Sequence, residues 1–203
     1  MLHHSAIPPA VAGLLTRLAP LPALQDFALA GGTSLALRMG HRLSVDLDFF
    51  TTLEFDPLAL QQDLAPYNPR VLNRSTGSLN LEIADIKVDF LRHAYPLLAP
   101  PETVDGVRLH SLDDVTAMKL NAIVNRGAKK DFYDIHALLL QRPLPDLVSC
   151  FARKYTDSEP FMLVRSLTYF DDAELDPDPV SLRGHDWPAV KRGILASVRS
   201  LPA

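Results

Sequence analysis

The chain has 203 residues, and 47% hydrophobic with 22% charged residues is the composition of a globular protein with a sizeable core, arranged as one large domain or two small ones. A formal net charge of −4 excludes a general nucleic-acid coat, which needs a broad basic surface, but leaves room for a local basic cleft. Seven scattered histidines with no His-Glu-x-x-His or His-x-x-x-His pair, a single cysteine and no apolar run near ~18–20 residues exclude a zinc site of ordinary spacing, an internal disulfide and a membrane-spanning helix.

In chain order, residues 8–19 read as a helix with proline near its start. The start of the chain has no basic stretch followed by an apolar one, so a cytoplasmic protein without a secretory signal is expected. Phe27–Ala30 is a short apolar strand that ends at Gly31-Gly32, and Thr33–Met39 is a helix that stops at Gly40. Val45–Thr51 is the next strand, Pro57–Ala65 a helix and Arg70–Ser75 a strand. After a turn at Gly77-Ser78, Leu79–Ile83 pairs with Ile86–Leu91 as a hairpin. The Pro-rich Ala99-Pro100-Pro101-Glu102 marks the expected boundary between an α/β core (residues 1–100) and a helical region packed on it (residues 101–203).

Beyond that boundary, Val107–Leu109 is a short extended piece. Ser111 caps a helix over Leu112–Asn125 that carries acids in its first turn. Further helices are expected at Lys130–Leu140, Leu147–Tyr155, Phe161–Phe170 and Pro188–Arg199, with an acidic, proline-broken loop over residues 171–179. Cys150 reads as a small core residue, Trp187 as the anchor of the last helix, His41 as a helix-terminus residue and His136 as structural.

Two aspartates one residue apart in an apolar strand stand out. Side chains alternate along a strand, so Val45, Leu47 and Phe49 are expected to face the core while Asp46 and Asp48 share the opposite face, roughly 6–7 Å apart at ~3.3 Å per residue. Two partly buried carboxylates at that distance raise each other's pKa unless positive charge lies between them, and a divalent cation answers that need. Lys87-Val88-Asp89-Phe90-Leu91 repeats the alternation with Asp89 on the polar face. If the two strands are neighbours, three carboxylates converge, a set that can hold two metals about 4 Å apart for phosphoryl transfer.

The other element is Gly31-Gly32-Thr33-Ser34, a strand-to-helix turn. Glycine lets backbone approach a ligand closely, and the free amides and dipole of a helix start attract phosphate, to which a Thr33 or Ser34 hydroxyl can add a donor. It is neither a Walker loop nor Gly-x-Gly-x-x-Gly. Arg38 and Arg42, between the glycines and the aspartates, either reach phosphate or pair with surface acids. Lys119 and Arg126 are seven apart and share a helix face, and Asp131 and Asp134 share a face of the next helix at i, i+3.

A strand, Gly-Gly-Thr/Ser, a helix and then Asp-x-Asp resembles the signature of the DNA polymerase β-like nucleotidyltransferases, and "AGGTSLALRMGHRLSVDLDFF" resembles the AbiEii/AbiGii toxin branch of that superfamily. "IKVDFL" is similar to its third-carboxylate strand, "LDDVTAMKLNAIVNRGAKKDFYDIHALL" to its next motif and "YFDDAELDPDP" to its C-terminal loop, so the likeness runs from about residue 27 to residue 190. The resemblance implies an α+β fold, with a polymerase β-like mixed-sheet core followed by helices. It further implies a magnesium-dependent (or manganese-dependent) transfer of NMP from an NTP to an acceptor hydroxyl. Asp46, Asp48 and Asp89 would be the metal ligands, Gly31, Gly32, Thr33 and Ser34 the phosphate cradle, and Lys119 a contact to the triphosphate. Asp131 would hold Lys119 or Arg126 in place or act in acid–base chemistry, and Arg38, Arg42, Arg126 and Lys130 would be further phosphate contacts. The partners so implied are an RNA acceptor (a tRNA 3′ end) or a protein acceptor, and a cognate antitoxin, with no membrane. A catalytically inactive nucleotide- or partner-binding module of the same fold, and a magnesium phosphohydrolase or nucleotide-sugar transferase built on Asp-x-Asp, are the alternatives.

Overall fold

A computed structural model describes residues 1–201. A first helix α1 (Pro9–Leu18) leads to a two-residue strand β1 (Ala28–Leu29) and then to helix α2 (Gly31–Met39), which Gly40 ends in the left-handed conformation (φ 58°). Strand β2 (Leu47–Thr51) and helix α3 (Pro57–Asp63) follow, the latter capped by the Asp56 carboxylate accepting from the Leu58 amide. Strands β3 (Arg70–Ser75), β4 (Ser78–Ile83) and β5 (Ile86–Arg92) form an antiparallel meander. Ala84 and Asp85, both at positive φ, make the two-residue β4–β5 turn.

A hairpin of β6 (Glu102–Val104) and β7 (Val107–Leu109) completes a seven-stranded mixed sheet in the order β3-β4-β5-β2-β1-β7-β6. The Pro100-Pro101 bend therefore lies between strands of one sheet, and the change to helices comes at Ser111. Strand β6 has no counterpart among the expected elements. The helices are α4 (Leu112–Asn125), α5 (Lys129–Leu139), α6 (Leu144–Lys154), α7 (Pro160–Leu167), the one-turn α8 (Asp171–Glu174) and α9 (Trp187–Arg199).

The apolar residues sort into two cores. Leu47 and Phe49 of β2, Val88 and Phe90 of β5, and Leu79 and Leu81 of β4 are buried against Leu14, Leu15 and Leu18 of α1 and Leu60 of α3. Leu120 and Ile123 of α4, Phe132 and Ile135 of α5, Phe151, Leu163 and Ile194 form the second core. Trp187 is buried there as expected, its ring stacked 6.1 Å from Tyr133 and its Nε1 donating to Glu174 at 3.0 Å. Cys150 is also buried. Val45 corrects the expectation drawn from alternation: it is 50% exposed, because the chain joins the sheet only at Leu47.

One buried ion pair ties α6 to α4. Lys154 Nζ lies 2.7 Å from Asp114 and donates to the Pro96 carbonyl, while Asp114 also accepts from Ser111 Oγ and the Leu98 and Ala99 amides. Burial alone would raise the Asp114 pKa, but these donors hold it below the usual carboxylate value.

Candidate active site

A cleft of about 370 Å³ opens at the seam between the two cores, floored by β2 and β5 and walled by the start of α2 and by α4. Strands β2 and β5 run parallel with Asp48 directly opposite Asp89. Alternation then puts both carboxylates on the face turned away from the α1 core, as the sequence pattern requires. Asp46, just ahead of β2, is half-buried at the same cleft. Burial raises the Asp48 carboxyl pKa above its ordinary value; Lys119 pulls it down, while Asp89 and Asp46 push it further up.

Asp89 is buried, with one oxygen 2.8 Å from Lys87 Nζ and with Oδ1 buried and lacking a hydrogen-bond partner. A buried, unpartnered carboxylate oxygen beside a carboxyl whose charge is disfavoured suits a hard divalent cation, which takes oxygen ligands and supplies the missing positive charge. Among the described residues no three acidic, histidine or cysteine side chains are already drawn together as a cage. Asp46 turns toward Lys130 at 3.7 Å and Asp89 toward Lys87, so the three carboxylates line one cleft without closing around a point.

The glycine turn supports this floor. The Ala30 amide donates to the Asp48 carbonyl at 2.9 Å, and Gly31 then starts α2 at φ 62° with no side chain capping the first amides. Those amides are the orphan donors of a helix start. A Cβ on Gly31 would run into Asp48 Oδ2, and one on Gly32 into the Arg42 guanidinium. Gly31→Ala should therefore cost about 1–3 kcal/mol in left-handed strain, and shifting Asp48 should lower any activity at this site by about 10²-fold. Chemical denaturation and a transfer assay on the same preparation check both effects.

The second motif folds into a buried charge cluster against the cleft wall. Asp134, fully buried, accepts from Arg42 Nε (2.7 Å) and Nη2 (2.9 Å), lies 2.7 Å from His41 Nε2 and pairs with Lys119 Nζ at 2.7 Å. Asp131 pairs with the same Lys119 at 2.8 Å and with Arg126 Nε at 2.8 Å. Burial would raise both aspartates, yet the cations hold Asp131 below and Asp134 well below the ordinary value. Burial would likewise lower Lys119, and Asp134 and Asp131 raise it instead. The fixed cations Arg42, Lys119 and Arg126 outnumber the carboxylates Asp131 and Asp134 by one. That excess positive charge stands beside the aspartates of the floor.

The structure brings Gly31, Gly32, Arg42, Lys119, Arg126 and Lys130 to the cleft together with Asp46, Asp48 and Asp89. Arg126, Lys130 and Lys87, with side chains 57%, 50% and 52% exposed, can reach a ligand while paired with Asp131, Asp46 and Asp89, whereas Lys119 and Arg42 are buried among carboxylates. Asp131 lies behind them. Three expected residues take other roles. The Thr33 hydroxyl donates to the Asp46 carbonyl and contacts Ser44 Oγ, which fixes the approach to β2. Ser34 is fully buried with its hydroxyl unpartnered, off the cleft. Arg38 turns away, donating to Glu102 at 2.5 Å and to the His110 carbonyl at 2.6 Å, so phosphate contact from it is not supported.

His41 is more than a helix terminus, since it belongs to the Asp134 cluster. His136 packs against His185 and Gly193. Cleft residues that the sequence pattern does not mark as candidates include Lys87, Phe50, His93, Asn121, Asn125 and Tyr155. Extending the alternation through 48–50 and 87–93 signals the first three, and the 118-121-125 stripe of α4 signals the two asparagines. Tyr155 has no local signal.

A sequence model described as nucleotidyl transferase AbiEii toxin, of a type IV toxin–antitoxin system, matches residues 13–200. An uncharacterized protein of Aquifex aeolicus is 37% identical over 166 residues, covering 78% of this chain and 81% of that protein. Among solved structures, JHP933 from Helicobacter pylori superposes with a TM-score of 0.59 at 19% identity, over 98% of this chain and 92% of its own. MenT4, a nucleotidyltransferase toxin from Mycobacterium tuberculosis, superposes with a TM-score of 0.58 at 19% identity, over 88% and 77%. At these identities the structural likeness speaks for the fold. Among the described residues no helix is long and apolar enough to cross a membrane.

Proposed function

This chain belongs to the AbiEii family of nucleotidyltransferase toxins, and we propose that it transfers NMP from an NTP to an acceptor hydroxyl at the Asp46–Asp48–Asp89 cleft. The observation that carries this site is the side-by-side register of Asp48 and Asp89, with the glycine turn pressed against Asp48. Asp46, Asp48 and Asp89 would hold magnesium (or manganese), which neutralises developing charge on phosphoryl oxygens and lowers the pKa of a bound hydroxyl. The open amides of Gly31 and Gly32 and the dipole of α2 take the β- and γ-phosphates, while Arg126 and Lys130 offset their charge. Lys119 and Arg42, locked by Asp131 and Asp134, act as fixed positive charge that needs no reorganisation as the reaction proceeds. The acceptor hydroxyl gives its proton to solvent, its oxygen forms a bond to the α-phosphorus as the bond to the bridging oxygen breaks, and pyrophosphate leaves.

The acceptor we propose is an RNA 3′ end such as that of tRNA, with a protein hydroxyl as the other outcome of the same test. A cognate antitoxin would restrain the activity. The test incubates the protein with each α-labelled NTP, magnesium or manganese, total RNA and cell protein. Label in RNA or protein together with released pyrophosphate is expected. Release of inorganic phosphate instead, or labelling undiminished by Asp46→Ala, would sink the reading.

A further inference from the structure

The cleft continues past its carboxylates. The alternation that puts Asp48 on the floor puts Phe50 there two residues on, and β5 continues through Asp89 and Leu91 toward His93 at steps of roughly 6.6 Å. Phe50 lies beside Leu91 in the parallel register. Within one such step the floor changes from acidic to apolar and aromatic. Tyr155, at the end of α6, closes this part of the cleft with its hydroxyl 3.0 Å from His93 Nε2. The Phe50 and Tyr155 rings stand 6.0 Å and 5.9 Å from the His93 ring, both nearly perpendicular to it, and Tyr95 flanks His93 and Tyr155 at 4.8 Å and 4.7 Å. Asn121 and Asn125 of α4 add carboxamides to the same cleft.

This end is uncharged at neutral pH. Burial, then Lys154, lowers the His93 pKa to about 4, and burial raises the Tyr155 hydroxyl above its ordinary value. It is also firmly built. The buried Lys154–Asp114 pair precedes Tyr155, and the Pro96, Leu98 and Ala99 backbone that follows Tyr95 is hydrogen-bonded to that pair. A nucleotide has the same polarity as the cleft, being polyanionic at one end and flat and uncharged at the other. A second phosphate group at the aromatic end would find Asp48 and Asp89 beside it and, among the described residues, no exposed cation between the rings.

Resting on the nucleotidyltransferase reading above, we propose that this aromatic end is the nucleobase subsite for the NTP. Phe50, His93 and Tyr155 form its apolar wall, and Asn121 and Asn125 supply hydrogen bonds at the base edge. Stacking on such a wall is sequence-tolerant, since every base has a π-face, while the carboxamides give the preference among bases.

The test measures binding without turnover. Isothermal titration with magnesium compares the four α,β-methylene NTP analogues with inorganic tripolyphosphate, which has the phosphates but no base. At least one analogue is expected to bind about tenfold or more tightly than tripolyphosphate. His93→Ala and Phe50→Leu should bring that analogue to the tripolyphosphate level while leaving tripolyphosphate affinity within about twofold. Unchanged tripolyphosphate binding doubles as the check on folding, and His93→Phe, which keeps a ring, should retain most of the preference. Equal binding of analogues and tripolyphosphate by the unaltered protein overturns the subsite, as does a preference that survives both His93→Ala and Phe50→Leu, or a loss that falls equally on both ligands. Failure to bind any triphosphate is a different result: it overturns the nucleotidyltransferase reading, and the subsite falls with it.

Discussion

Asp48→Asn is expected to lower NMP transfer by about 10³-fold or more, ~4 kcal/mol of transition-state stabilisation, and at the same time to raise the melting temperature of the metal-free protein. Both effects come from one cause. The Asp48 carboxylate is pressed between Gly31 and Asp89, and burial together with Asp89 and Asp46 outweighs the pull of Lys119 on its charge. Asparagine keeps the shape and removes the disfavoured charge, a relief of a kind that commonly stabilises altered functional sites. The expected gain is about 2–4 °C, which is what ~1 kcal/mol is worth in a chain of this length. Added magnesium should raise the melting temperature of the unaltered protein and leave Asp48→Asn where it was. Calorimetry of both proteins, with and without metal, reads all of this; a variant that melts lower than the parent without metal contradicts the charge argument, and one that still transfers NMP contradicts the catalytic assignment.

The second large effect is structural. Asp134 is fully buried and answers Arg42, His41 and Lys119 together. Asp134→Asn replaces an oxygen with an NH₂ group facing cations and leaves buried positive charge uncompensated, which costs about 3–5 kcal/mol, or about 6–20 °C in melting temperature. The pH dependence has a definite sign. Asp134 is held well below the ordinary carboxylate pKa of 3.8, so as pH falls the unfolded chain takes up its proton first. Its contribution is complete above that ordinary value and is lost as the pH drops below it toward the folded value. Asp131 is lowered too and contributes in the same direction, so acid sensitivity in Asp134→Asn should shrink without vanishing. Urea titrations between pH 7 and pH 3 measure it; parallel stability curves for parent and variant would show that Asp134 carries no such contribution.

Much of the floor of the cleft could be read from the sequence because strand alternation is a local rule. Asp48 and Asp89 reach the polar face, and Leu47, Phe49, Val88 and Phe90 the core, as a period of two demands. The same rule failed at Val45, which lies ahead of the point where pairing begins. Arg38 and Arg42 looked equivalent in sequence, yet the left-handed Gly40 between them reverses the chain, sending Arg38 toward Glu102 and Arg42 into the Asp134 cluster. Long-range pairing was beyond local pattern altogether. The Arg42–Asp134 bond joins residues 92 apart and Lys154–Asp114 joins residues 40 apart, and no spacing announces either. The aromatic end of the cleft is intermediate, since Phe50 and His93 continue visible alternations while Tyr155 arrives from a distant helix end.

The sheet takes its β6–β7 hairpin from beyond the Pro100-Pro101 bend, and this bears on how the protein is born and how it dies. A nascent chain that has emerged to residue 100 already contains Asp46, Asp48 and Asp89, but it lacks β7, the parallel partner of β1, and the cluster cations Lys119 and Arg126. The acidic floor is thus translated first, and most of the cations proposed to serve it come last. A protease cutting near the prolines would leave a fragment that holds all three aspartates but neither Lys119, Arg126 nor Lys130, and such a fragment is expected to be inactive in the transfer assay.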